Sequence, residues 1–203
     1  MPKPHTYLLA AAAVATALTL SACAGGTTNT SSSAAPSSPE SSASPVDLAD
    51  ADVEFTQMMI PHHEQAVEMS DDLLAKDEID QRIVDLATEI KDAQEPEIQQ
   101  LESWLSAWGM DDTSSSEMDM SDMDHGTDGM MSDDDMNALE SAPSEDAGKL
   151  FLEQMIVHHQ GAIAMAQTEI DEGQFPDAVD VATNIVNSQT AEIDVMNGIL
   201  ATL

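Results

Sequence analysis

Apolar residues recur at steps of three and four along four stretches of the chain, the spacing of one face of an α-helix. The first stripe runs from Phe55 through Met59, Ala66, Met69 and Leu73, with His62 standing where an apolar residue would continue it. A second holds Ile83, Ala87, Ile90 and Leu101 and is interrupted by Gln94 and Glu97. A third runs through Phe151, Met155, His158, Ala162 and Met165, and a fourth through Ala182, Ile185 and Met196, interrupted by Gln189 and Glu192. Polar residues thus break four apolar faces at matching places.

The first and third stripes share Phe-x-x-x-Met-Ile-x-His-His-x-x-Ala-x-x-Met, from Phe55 to Met69 and from Phe151 to Met165, without a gap. The second and fourth share Ala-x-x-Ile-x-x-x-Gln-x-x-Glu-Ile, from Ala87 to Ile98 and from Ala182 to Ile193. The repeating unit is therefore a helical hairpin. Its first copy turns near Asp77-Glu78-Ile79, and its second between Gly173 and Asp177, where Gly173 suits a helix end and Pro176 a helix start.

One hairpin cannot cover its own apolar face, so the copies are expected to pack on each other about a pseudo-twofold axis. The predicted fold class is all-α, a four-helix bundle over residues 47–203: hairpin one at 47–109, a Met- and Asp-rich insert at 110–143 and hairpin two at 144–203. Pro96 predicts a local kink in the second helix, where the other copy has Ala191. Trp104 and Trp108, four residues apart, are expected to cover one end of the core.

Ahead of the repeat, residues 1–22 read as an export signal: Lys3, an apolar run from Tyr7 to Leu20, then Leu20-Ser21-Ala22 before Cys23. The run is too short for a spanning helix. Leu-Ser-Ala-Cys resembles the lipobox of bacterial lipoproteins, which implies a lipid on Cys23 and anchoring at the outer face of the cytoplasmic membrane or in the cell envelope. An ordinary secretory signal with an incidental cysteine is the alternative. Residues 23–46, almost entirely Ser, Thr, Ala, Gly and Pro after Cys23, cannot bury enough apolar surface to fold and are expected to be a disordered linker.

The chain carries 39 acidic and 5 basic residues, a formal net charge of −34, so nucleic acid is not an expected partner. That charge keeps a surface solvated and attracts cations in general, without naming a ligand. Cys23 is the single cysteine, so no disulfide supports the body and the core must do so alone.

Folding each hairpin back on its turn brings His62 and His63 level with Gln94 and Glu97, and His158 and His159 level with Gln189 and Glu192. Burying so many polar groups is costly unless each finds a partner. Two solutions are open: a closed hydrogen-bond network that fixes helix register, or a metal ion held by these side chains. Carboxylate-bridged di-iron bundles use Glu-x-x-His, whereas Met59 and Met155 here stand three residues before His62 and His158. Thioether plus imidazole favours copper, especially Cu(I), with Met58, Met69 and Met165 close enough in sequence to extend the set.

Residues 110–136 hold seven of the 14 methionines. Met118-x-Met120-x-x-Met123-x-His125 resembles the methionine motifs with which copper-handling proteins capture Cu(I); an acidic linker with incidental Met is the alternative. Asp124 to Asp135 loosely imitates a calcium loop, but Gly126 stands at a ligand position and Asp135 in place of the terminal Glu, which argues against one.

Met58-Met59-Ile60-Pro61-His62-His63-Glu64-Gln65-Ala66 and its copy Met155-Ile156-Val157-His158-His159-Gln160-Gly161-Ala162 resemble the family known as domain of unknown function 305, over Asp47 to Leu203 and including Gly129-Met130-Met131-Ser132. The resemblance implies a ferritin-like four-helix bundle in exported bacterial proteins, some associated with copper binding and copper tolerance. The chain departs from that pattern at Gln160, where relatives often carry Glu, and in the acidity of its insert. The expected function is an exported, lipid-anchored copper scavenger, store or chaperone, which could pass its ion to a copper-handling partner. A metal-dependent oxidoreductase and a structural or partner-binding lipoprotein without metal are the alternatives. No nucleophile with its base, phosphate-binding glycine loop or Rossmann pattern is present, so hydrolase, kinase and dehydrogenase activities are not expected.

Overall fold

The four apolar stripes form four long helices. α1 spans Asp50–Leu74, α2 Gln81–Trp108, α4 Ser144–Glu172 and α5 Pro176–Leu200, and a short α3, Asp133–Ser141, lies between the hairpins. In this computed structural model residues 48–110 and 129–203 are described, all within one compact unit, Ala43–Leu203, and no strand occurs among them. The chain is all-α, and none of the described helices is long and apolar enough to cross a membrane. The export signal, Cys23, the whole linker to residue 46 and residues 111–128 lie outside the described residues.

Local chemistry sets the helix ends. The Asp80 carboxylate accepts from the Arg82 N–H at the start of α2, and Gly109 ends that helix in the left-handed region at φ 74°, which a residue with a Cβ adopts only under strain. Gly173 ends α4 for a different reason. Its φ is −67°, but an added Cβ would stand 2.3 Å from a carboxyl oxygen of Glu169, so the turn needs the missing side chain for room rather than for rotation. Pro61 and Pro96 each remove one backbone donor, yet α1 and α2 run on through them.

A short helix, α3, occupies the end of the Met- and Asp-rich insert. Ser132 and Asp135 form a reciprocal cap, each side chain accepting from the other's backbone N–H at 3.2 Å, and three aspartates in the first turn suit the positive helix end. Only Leu139 of α3 is buried. One buried position is too few to show a helical stripe in sequence.

Helices α1 and α2 are antiparallel, since His63 meets Glu97 while Asp71, further along α1, meets Lys91, earlier in α2. Helices α4 and α5 pair in the same manner, and α1 packs antiparallel on α4, with Asp52 meeting the turn after α4 while His62 meets His158. The core is divided in two. One cluster gathers Ala66, Met69, Leu73, Ala87, Ile90, Phe151, Met155 and Met196; the other gathers Phe55, Met59, Leu101, Ala162, Ala166, Ala182 and Ile185. Repeat partners fall on opposite sides throughout: Phe55 against Phe151, Met59 against Met155, Ala66 against Ala162, Ile90 against Ile185 and Leu101 against Met196. A pseudo-twofold axis through the middle of the unit produces that division.

Trp104 and Trp108 stack at one end with ring centroids 6.3 Å apart, and Phe175 meets both edge-on at 5.3 and 5.4 Å, completing the cover expected of the two tryptophans. Beside them Asp52 accepts from the N–H groups of Gln174 and Phe175, both at 2.9 Å, and so ties the start of α1 to the α4–α5 turn.

Candidate metal centre

Between the two apolar clusters lies a layer of polar side chains. The rings of His62 and His158 meet at the pseudo-twofold axis with centroids 3.8 Å apart and planes tilted by 42°. His159 lies next to them, its ring centroid 6.4 Å from that of His158. All four histidines are buried, as are Gln94 and Gln189. His63 Nε2 lies 2.8 Å from Glu97 Oε2 and His159 Nε2 2.6 Å from Glu192 Oε2, one such pair in each hairpin. The four histidines divide their labour: the first of each pair faces its counterpart in the other hairpin, and the second faces the carboxylate of its own.

Burial in this layer holds the His158 imidazole well below its usual range, and the neighbouring histidines His62, His159 and His63 push in the same direction. A neutral ring keeps a nitrogen lone pair available to a metal ion. Nδ1 of His63, Nδ1 of His159 and Oε1 of Gln94 and Gln189 are buried and have no hydrogen-bond partner among the described residues. These orphaned atoms come in repeat-related pairs. Leaving one such group unmade costs about 1–3 kcal/mol, so a layer with four of them is short of a partner that a soft cation could supply.

The methionines flank this layer. Met59 and Met165 pack in one apolar cluster and Met69 and Met155 in the other, so each side receives thioethers from both hairpins. Met59, Met69 and Met155 are fully buried, Met58 nearly so, and Met165 is partly exposed. Among the described residues no three His, Cys, Asp or Glu side chains converge closely enough to hold an ion. Met118, Met120, Met123 and His125 lie outside the described residues.

Sequence patterns did not disclose how the insert returns to the helices. The amide of Gln65 pairs with the backbone of Met131 in both directions, Oε1 accepting at 2.7 Å and Nε2 donating at 2.9 Å. Gly129, at φ 87°, lies against Gly161, where an added Cβ would come within 2.7 Å of the Gly161 Cα. Gln65 and Gly161 occupy equivalent positions of the repeat, and their difference was the available signal.

The family model for the domain of unknown function DUF305 matches residues 52–200. The chain belongs to this family. A DUF305 protein from Streptomyces coelicolor, described as secreted, is 31% identical, with a TM-score of 0.68 covering 75% of this chain and 93% of its own. A DUF305 fragment from Deinococcus radiodurans is 30% identical, with a TM-score of 0.64 over 77% of this chain and 99% of that one. CopM in its Cu(I)-bound form is 28% identical, with a TM-score of 0.59 over 74% of this chain and 96% of its own, and CopM is also solved in Cu(II)-bound and Ag-bound forms. Comparison with curated proteins found no match.

Proposed function

We propose that this DUF305 protein is an exported, lipid-anchored copper-binding protein that scavenges, stores or chaperones copper, chiefly as Cu(I), in copper tolerance. The observation that carries the proposal is the central layer: four buried imidazoles in repeat-related pairs, with orphaned nitrogen and oxygen atoms and methionines on both sides. The copper-bound and silver-bound CopM structures support a soft monovalent cargo.

Of the long helices, α1 and α4 join the two hairpins, which suits a ferritin-like four-helix bundle. In it, His62, His63, His158 and His159 supply imidazole; Met59, Met69, Met155 and Met165 supply thioether; and Gln94, Gln189, Glu97 and Glu192 complete the polar layer. Met118, Met120, Met123 and His125 capture the ion and pass it inward, while a lipid on Cys23 holds the protein at the membrane. A copper-handling partner is the natural recipient. A second reading, a metal-free structural lipoprotein, is favoured by the His63–Glu97 and His159–Glu192 hydrogen bonds, which already satisfy half of the outer imidazole nitrogens.

Anaerobic Cu(I) titration of the mature protein against a chromogenic chelator, with elemental analysis, separates the two. The expected result is binding well tighter than micromolar, weakened at least about tenfold, or about 1.4 kcal/mol, by the double substitution His62→Ala and His158→Ala. Micromolar or weaker binding, equal in both proteins, would sink the proposal and favour the structural role.

A further inference from the structure

Each outer imidazole of the layer is fixed by one of its two nitrogens. A carboxylate has no proton to give, so the hydrogen atom between His63 Nε2 and Glu97 Oε2, and between His159 Nε2 and Glu192 Oε2, belongs to the ring. In a neutral imidazole the other nitrogen, Nδ1, then carries the lone pair. Both Nδ1 atoms are buried, and neither donates to or accepts from any described group. Glu97 and Glu192 differ from the histidines in burial: their side chains are 28% and 15% exposed, whereas those of His63 and His159 are 0% exposed. The carboxylates therefore stand on the outer side of the layer, and the orphaned nitrogens are enclosed in it.

The geometry points to Nδ1 of His63 and Nδ1 of His159 as the atoms these two residues present to the metal, with Glu97 and Glu192 as positioning residues rather than ligands. This rests on the copper-binding proposal. Each carboxylate fixes the tautomer of its imidazole, the orientation of its ring and its basicity, as carboxylates do behind metal-bound histidine generally. The occurrence of the same arrangement in both hairpins, at matching repeat positions, makes it a property of the site rather than of one side chain.

The experiment is long-range proton–nitrogen NMR of the imidazoles in nitrogen-15-labelled protein, first without metal and then with Ag(I), a diamagnetic soft cation. Without metal, His63 and His159 are expected as the Nε2–H tautomer; Ag(I) is expected to shift their Nδ1 resonances and leave Nε2–H in place. Glu97→Ala with Glu192→Ala is expected to mix the tautomers and lower Ag(I) affinity by about tenfold to a hundredfold. Glu97→Gln with Glu192→Gln, whose amide oxygens still accept, is expected to recover most of it. An Nδ1–H tautomer in the metal-free protein, or an Ag(I)-induced shift at Nε2, overturns the assignment and leaves copper binding standing. Failure of the wild-type protein to bind Ag(I) or Cu(I) at all overturns both.

Discussion

Asp52 and Glu169 form a buried pair of carboxyl groups at one end of the unit, where the repeat places Gly148 and Leu73 at the other. Burial would push the Asp52 carboxyl up, but hydrogen bonds from the Phe175, Ala49 and Gln174 N–H groups outweigh it, the neighbouring Glu169 carboxyl acts in the same direction, and Asp52 is held below its usual range. Glu169 takes the opposite course: burial, with the Asp52 charge beside it, pushes it from 4.5 up to about 8. A proton kept on Glu169 spares Asp52 a second negative charge beside it, and Asp52 in turn holds the α4–α5 turn. Between 4.5 and about 8 the unfolded chain has released this proton and the folded protein keeps it, so stability is full below 4.5 and falls across that window, by up to about 1.4 kcal/mol per pH unit. Asp52 acts in the other direction and loses its contribution as pH drops below its unfolded value of 3.8. Glu169→Gln is neutral like protonated Glu169 and cannot ionise. Its stability relative to wild type, from thermal melts at pH 4.5 to 9, is expected to rise up to about pH 8 and then level off; a difference that does not vary with pH contradicts the pairing.

At the scale of elements, the two hairpins and their turns were legible because the amphipathic pattern of each long helix repeats, and the repeat exposed His62, His63, His158 and His159 as interruptions of an apolar face. Partner choice within the layer was not legible. A one-residue rotation about the helix decides whether His62 or His63 faces Glu97, and stripe spacing does not resolve 100° that finely when both residues are buried. The return of the insert was hidden for another reason. It depends on a side chain pairing with backbone, Gln65 with Met131, and on two glycines in contact, Gly129 with Gly161, and neither leaves a periodic trace. Yet these contacts explain why the second copy cannot repeat Gln65. Gln65→Ala removes both bonds and is expected to cost about 1–3 kcal/mol locally, while Gly129→Ala adds a Cβ where the φ of 87° and the Gly161 backbone leave no room. Both variants are expected to speed amide hydrogen exchange at Met131 by at least tenfold with little change at Ile90 and Ile185 in the two cores; unchanged protection at Met131 would show that packing of α3 alone holds the segment.

For the whole molecule the dominant facts are a core cut in two by a polar layer and a formal charge of −34. The layer forgoes the apolar contacts that would join the clusters, and the four long helices, each with buried residues in both clusters, run across it. The surface charge then opposes compaction, because the described ion pairs neutralise little of it: those of Arg82, Lys91 and Lys149 involve partly exposed partners, and such pairs are individually worth about 0–1 kcal/mol. Mutual repulsion among so many carboxylates acts over tens of ångströms when the screening length is about 30 Å near 0.01 M salt, and is confined to nearest neighbours when it falls to about 10 Å near 0.1 M. Sodium chloride therefore has two opposed effects here. It weakens a few surface pairs of small value and relieves a repulsion summed over the whole surface, and the second is the larger. The melting temperature at pH 7 in metal-free buffer is expected to rise by several degrees between about 0.01 M and 0.3 M sodium chloride, with most of the rise below 0.1 M, where the screening length changes fastest. A flat or falling profile would mean that the ion pairs of Lys91 and Arg82 outweigh the repulsion, and neutralising Lys91 by Lys91→Gln should then lower stability sharply at low salt.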